Sequence, residues 1–350
     1  MSATEQHGNA GNSLDLRKKS RYEASLRLSV APMMDWTDRH CRYFHRLLAP
    51  HAVLYTEMVT AQAAIHGDRE RLLGFDPAEH PVVLQLGGAE PDLLAEAARI
   101  GAERGYDAIN LNCGCPSDRV QSGRFGACLM REPVLVRDCV AAMRSAVAPF
   151  GIPVTVKCRI GVDEQDDYAG LAAFVDEVRG AGCDTFIVHA RKAWLQGLSP
   201  KENREVPPLN HERVHRLKRE HPGLRVVING GIATVDEVER HLAAVDGVML
   251  GRTAYHEPYR LAELECRLHG TPLPDRDEVL ARMRPHVEAH LAAGGRLQHV
   301  TRHLLGLYQG LPGARAYRRV LSEEAHRADA DWSVVERAIE VRRGAERAAA

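Results

Sequence analysis

The chain contains no apolar run approaching the roughly 20 residues that a membrane-crossing helix needs, so no membrane span is expected. It also lacks net charge: 46 Lys and Arg stand against 47 Asp and Glu, a formal −1. Global electrostatics therefore neither demand nor exclude a polyanionic partner, and any nucleic-acid surface must be a local patch. None of the eight cysteines forms the C-x-x-C pair of a structural zinc site. They are scattered through 350 residues with no signal peptide, so neither a disulfide framework nor a bound metal is expected. Internal repeats and low-complexity tracts are missing, apart from the three terminal alanines. These absences suit a cytoplasmic protein, and nothing indicates an obligate protein partner.

Hydrophobic residues make up 45% of the chain, enough for a substantial core. An α/β barrel takes roughly 200–250 residues, so 350 leave room for a second, smaller domain. Residues 1–26 read as a flexible polar tail, with Arg17, Lys18, Lys19 and Arg21 as a weak basic cluster. Eight short β-rich runs follow, at 28–31, 53–56, 82–86, 108–112, 154–158, 185–189, 225–229 and 247–250. Amphipathic stretches lie between them, for example 92–104, 133–146, 167–181 and 235–244. Near-continuous apolar strands joined by helices predict a parallel sheet, and eight such strands close as a (β/α)8 TIM barrel. An open doubly wound sheet is the alternative, but polar residues and glycines recur after most strands, as on a barrel's catalytic rim. The expected division is a barrel domain over 27–268, a linker over 269–275 and a small all-helical domain over 276–347.

Chemistry concentrates at the strand ends. The fourth run feeds into Asn112-Cys113-Gly114-Cys115-Pro116-Ser117, where glycine and proline set the backbone around one thiol. Gly123 and Gly126 leave the following loop free to act as a lid. Ala31-Pro32-Met33 after the first strand offers a fixed apolar surface for a planar ring, or a plug for the barrel. Gln85 closes the third strand with an amide that both donates and accepts. Lys157 lies in an otherwise apolar strand, costly unless it is paired, used or snorkelling to solvent. His189 ends the sixth strand, and Asn229-Gly230-Gly231 and Gly251-Arg252 follow the seventh and eighth. Loops after strands seven and eight of this fold commonly bind phosphate. Together these residues fit flavin mononucleotide (FMN), with Cys115 opposite as a proton donor rather than a nucleophile.

The same segments resemble the tRNA-dihydrouridine synthases, most closely their A subfamily. The resemblance spans about 27–325 and includes Asn112-Cys-Gly-Cys-Pro-Ser117, His189-Ala-Arg-Lys-Ala-Trp194 and Leu198-Ser-Pro-Lys-Glu-Asn-Arg204. It implies a flavoenzyme that reduces the C5–C6 bond of D-loop uridines 20 and 20a in tRNA, with NADPH as electron donor. It further implies hydride delivery to C6, a proton from Cys115 to C5, and base contact by Asn112. Lys201 and Arg204 match its tRNA-contacting positions. Ala31, Pro32, Met33, Gln85, Lys157, His189, Asn229, Gly230, Gly231, Gly251 and Arg252 fall on or beside its FMN-binding ones. Cys113 departs from the usual aliphatic residue and is expected to take no part in the chemistry.

A tRNA surface is also expected in the helical region. From Arg296 to Arg319 there is no acid, and Arg315 and Arg318, three apart, share a helix face. Three other readings compete. A flavin barrel acting on a small molecule such as dihydroorotate leaves Lys201, Arg204 and the acid-free stretch without use. An aldolase with Lys157 as Schiff base predicts a colourless protein that borohydride traps on its substrate. An RNA-binding protein on a vestigial barrel would bind tRNA without flavin.

Overall fold

All eight apolar runs become strands. The computed structural model describes residues 19–117 and 123–349. The strands are β1 (Leu28–Val30), β2 (Val53–Thr60), β3 (Val82–Gly87), β4 (Ala108–Cys113), β5 (Val154–Arg159), β6 (Thr185–His189), β7 (Arg225–Asn229) and β8 (Gly247–Leu250). They close in sequence order into a barrel in which every pair is parallel, β8 pairing with β1. The open sheet is thereby excluded. Helices Pro91–Glu103, Pro133–Val147 and Tyr168–Gly180 follow β3, β4 and β5. The first two begin with proline, whose missing N–H would have no helical partner there anyway. Among the described residues no helix is long and apolar enough to cross a membrane.

Strand alternation sorts the side chains. Val83, Ala108, Ile187, Val227 and Met249 belong to one buried cluster with Tyr22, Leu26, Ala31, Val53 and Tyr55. Two or four residues further along the same strands, hence on the same side, stand Gln85, Asn110, Asn112, His189 and Asn229. The register makes them neighbours: Gln85 lies opposite Asn110, Asn112 opposite Lys157, Arg159 opposite His189, and His189 opposite Asn229. An apolar layer thus gives way to a polar one at the C-terminal ends of the strands.

Two expectations need correction. The tail expected to reach residue 26 stops earlier: residues 19–24 are helical, and Tyr22 and Leu26 are buried. The Tyr22 hydroxyl lies 3.5 Å from that of Tyr55, and Arg21 pairs with the buried carboxylate of Asp107. One aromatic in a polar segment gives no periodicity, so only its docking reveals it. Arg17 and Lys18 of the basic cluster lie outside the described residues. The chain also groups differently from the expected division. One compact unit runs through Met34 and over Ala52–Leu250; the other combines Asp35–His51 with the chain from Gly251 onward. Helix Arg39–Leu48, between β1 and β2, therefore clusters with the C-terminal helices.

In that second unit Asp38 caps helix Arg39–Leu48 through the amides of His40 and Cys41. The same carboxylate pairs with Arg302 at 2.6 Å and His303 at 3.0 Å. Burial opposes its charge, but these donors outweigh burial and hold Asp38 below the usual carboxylate range. Helices Arg252–His256, Tyr259–His269, Arg276–Ala292, Leu297–Thr301, Ala314–Glu324 and Ser333–Ala349 follow in the same unit.

Candidate active site

β4 delivers two cysteines with opposite fates. Cys113 is the last strand residue, fully buried and paired in register with Cys158. Burial drives its thiol far above the usual range, with the neighbouring thiols adding. Both effects keep it a protonated thiol shut off from solvent. Cys115 stands two residues beyond, partly exposed, its Sγ 3.5 Å from the Ser117 hydroxyl. Asn112 shapes this turn: its Oδ1 accepts from the amides of Gly114 and Cys115, both at 3.0 Å. The Cys115 carbonyl accepts from the Ala127 amide at 2.9 Å. The Gly114 carbonyl accepts from Arg159 Nε, also at 2.9 Å. The thiol thus rides on a backbone held from three sides. Residues 118–122 lie outside the described residues; in the expected lid over 123–126, Gly126 takes the left-handed φ of 79°.

Beside the loop runs a relay of amides. A bulge in β2 between Tyr55 and Met58 lets the Gln85 amide donate to the Thr56 hydroxyl at 3.1 Å. Gln85 Nε2 donates to Asn110 Oδ1, Asn110 Nδ2 to Thr155 Oγ1, and Asn112 Nδ2 to Gln85 Oε1, each at 2.8 Å. Gln85 and Asn112 are therefore tied to each other. Among the described residues each leaves one amide hydrogen unused.

The other side of the rim is cationic. Lys157 Nζ donates to Asn229 Oδ1 at 3.2 Å, and Asn229 Nδ2 donates to the Met249 carbonyl at 2.8 Å. Arg159 is 3% exposed, and among the described residues its partners are backbone carbonyls, those of Gly114, Lys192 and Asn203, at 2.9 Å. Burial, then the Arg159 charge, lower the Lys157 pKa to about 8. Burial likewise lowers Arg159 to about 10, against the pull of the Cys115 sulfur and with help from Arg204 and Arg191. His189 is pushed well below the usual histidine range by burial and by the Arg159, Lys157, Arg191 and Arg204 charges. Both effects favour its neutral form. The His189 ring packs against Gly230, whose φ is +115°; a Cβ there would stand 2.7 Å from His189 Cδ2. Gly231 follows with φ +72°, so two successive residues turn in a way glycine alone tolerates well.

The remaining expected residues are more dispersed. Ala31 is buried and donates to the Leu250 carbonyl at 2.8 Å; Pro32 is half-buried, and Met33 packs on the core cluster. Met33 thus has the plug contact weighed against the ring-surface reading. Gly251 and Arg252 follow directly on β8 and group with the second unit, Arg252 opening helix Arg252–His256. Lys201 and Arg204 are exposed at the two ends of a short turn. In the second unit, Arg315 is exposed and Arg318 half-buried on helix Ala314–Glu324, with Arg318 donating to Gln309 Oε1 at 2.5 Å.

Two residues of the site escaped sequence reasoning. Arg159 stitches the cysteine loop to the loop after β6. Asn203 is fully buried and binds Trp194 through both backbone groups, accepting from its N at 2.8 Å and donating to its O at 2.9 Å. That clamp fixes the turn bearing Lys201 and Arg204. An arginine one step beyond a buried lysine on an apolar strand was the available signal for Arg159. Asn203 carried none, because its partners are backbone atoms.

A family model described as dihydrouridine synthase (Dus) matches residues 29–343. A tRNA-dihydrouridine(20/20a) synthase of Xanthomonas axonopodis pv. citri is 64% identical over 320 residues, covering 91% of this chain and 95% of its own. Proteins of the same name from Shewanella oneidensis and Pseudomonas putida are 58% and 56% identical. They cover 89% and 93% of this chain, and 92% and 96% of their own.

Proposed function

The chain belongs to the dihydrouridine synthase family, and from that premise we propose that it reduces the C5–C6 bond of uridines 20 and 20a in tRNA to dihydrouridine, using FMN and NADPH in the cytoplasm. The observation that carries this is one thiol, Cys115, on a pinned loop beside two sheltered cations, Lys157 and Arg159, whose hydrogen-bond partners among the described residues are neutral oxygens.

The residues present fit a flavin. Lys157 and Arg159 are sheltered cations with only neutral oxygen partners. The His189 ring nitrogens have no hydrogen-bond partner among the described residues. Gly230 and Gly231 leave room where a side chain would intrude. Such a set favours an anionic, ring-bearing ligand with a phosphate. Lys157, His189, Asn229 and Gln85 would hold the ring, Ala31, Pro32 and Met33 its apolar face, and Gly230 and Gly231 the phosphate. Gly251 and Arg252 enter through their sequence position after β8. When bound, the flavin supplies the reducing equivalent for uracil C6, and NADPH restores it.

The chain's own residues do the rest. Cys115 gives its proton to C5, and the charge left on its sulfur is felt at Lys157 and Arg159. Solvent then reprotonates the thiol. Asn112 keeps the loop in register through its Oδ1 and offers its free amide hydrogen to the base. C5 and C6 of a stacked base are out of reach, so the uridine must be swung out of the RNA. Lys201 and Arg204, and Arg315 and Arg318 in the helical unit, supply the phosphate contacts from which RNA affinity comes.

A pKa near 8 at Lys157 would equally suit a Schiff-base lysine; family membership sets that reading aside. The decisive experiment measures bound flavin in the purified protein and NADPH-dependent dihydrouridine formation in unmodified tRNA. A colourless protein that cannot be reconstituted with FMN overturns the proposal. Cys115→Ala should abolish dihydrouridine formation while NADPH still reduces the flavin. Undiminished turnover removes Cys115 from the proton step.

A further inference from the structure

Outside the proposed reaction, three side chains of the second unit converge. His51, Glu265 and His269 each offer a ligand atom, and these atoms lie within 4.8 Å of one another. Among the described residues this is the one group of its kind. Glu265 and His269 sit four apart on helix Tyr259–His269 and so share a face. Gly270, at φ 71°, turns the chain away directly after His269. His51 comes from the segment after helix Arg39–Leu48, where Arg46 Nη1 holds the carbonyls of Ala49 at 2.8 Å and Pro50 at 2.7 Å. The rings of His51 and His269 stack with centroids 4.4 Å apart.

We propose that His51, Glu265 and His269 bind a divalent transition-metal ion of the zinc class, with water completing its coordination. Three features select this ion. The donor set is two imidazoles and one carboxylate, which suits zinc and its first-row neighbours; calcium and magnesium need many more oxygens. The Glu265 carboxylate is 1% exposed whereas the His51 side chain is 51% exposed, so the anionic ligand is sheltered and the ion has a route in. Glu265 is also already oriented: Oε2 accepts from the His51 amide at 3.4 Å and Oε1 meets His51 Nδ1. The amide brace at Oε2 remains when the ion takes Oε1, in the manner of the outer partners of metal ligands.

Metal–ligand bonds of about 2.0–2.2 Å place tetrahedral donors roughly 3.4 Å apart, within reach of small ring rotations from the present arrangement. The ion would replace the proton between His51 and Glu265 and clip the segment after one helix to the last turn of another. None of the three residues has a part in the proposed reaction, so the role is structural.

The test is titration of tag-free, metal-stripped protein with Co(II), followed by its visible d–d absorption, and then displacement by Zn(II). One equivalent should bind with a tetrahedral-type spectrum, and Zn(II) should raise the thermal midpoint. His51→Ala and His269→Ala, checked by circular dichroism for an intact fold, should each weaken binding roughly 100-fold and abolish the thermal shift. Should His51→Ala fail to fold, His269→Gln, at the partly exposed end of its helix, decides alone. Absence of saturable binding to the native protein overturns the proposal. One-equivalent binding that survives loss of either histidine overturns it as well.

Discussion

Lys157 and Gly230 turn residue chemistry into measurable behaviour. Lys157 has one amide oxygen as partner and a pKa lowered to about 8 by burial and by Arg159. The flavin-free protein therefore carries an ammonium below about pH 8 and loses it above. An anionic ligand favours the protonated form, so FMN affinity should fall as pH rises through that value, by up to about tenfold per pH unit. Fluorescence titration between pH 6.5 and 9.5 measures this, and Lys157→Met should flatten the profile. Gly230 is constrained twice, by its φ of +115° and by the His189 ring 2.7 Å from any added Cβ. Gly230→Ala should weaken FMN binding by about tenfold or more, since the left-handed backbone alone costs roughly 1–2 kcal/mol. The same titration at pH 7 checks it; unchanged affinity would show that the His189–Gly230 contact does not shape the site.

At the scale of elements, Asp107 holds the entry to β3 and β4. Its fully buried carboxylate receives Arg21, His80 Nδ1 at 2.5 Å and the Val82 amide at 2.7 Å. Burial opposes its charge, yet these three donors win and lower its pKa. Asp107→Ala leaves Arg21 and His80 without their shared anion and should destabilise the fold by about 3–5 kcal/mol. The pH sign follows from the lowered value. The contribution is complete above the ordinary carboxylate pKa of about 3.9 and is lost as pH falls through the lower folded value. Urea denaturation at pH 7 and pH 3 should show the native protein and Asp107→Ala converging in acid. This element-level anchor includes residue 21, inside a segment whose composition reads as tail.

For the whole molecule the question is where RNA affinity resides. The stretch from Arg296 to Arg319 has no acid of its own, yet Arg302 within it is paired with Asp38, more than 260 positions away. Its positive surface is therefore smaller than its sequence implies. Arg315 and Arg318 lie on one helix, and among the described residues Arg318 bonds only the neutral Gln309. Reversing both charges should weaken tRNA binding and lower the slope of log affinity against log salt by about 1–2 units. Flavin reduction by NADPH should be unaffected. Filter binding across a salt series reads the first effect; loss of both activities would instead indicate misfolding.

The sequence by itself determined the barrel and most of its rim. Strands of a parallel sheet are buried on both faces, so each is a short apolar run that needs no partner to be recognised. All eight strands start where the runs do; they differ only at their ends, as where β2 continues through its bulge to Thr60. Cys115, Lys157, His189 and the Gly230–Gly231 pair were legible for a related reason: each is a chemically odd residue at the end of an apolar strand. Only the tertiary structure decided the rest. That Asn112 binds the cysteine loop's own backbone, that Arg159 joins two loops, that Tyr22 belongs to the core and that His51 meets Glu265 across 214 positions are facts of contact. Local pattern records the periodicity of a residue's own element; it does not record which distant group fills its remaining hydrogen bonds.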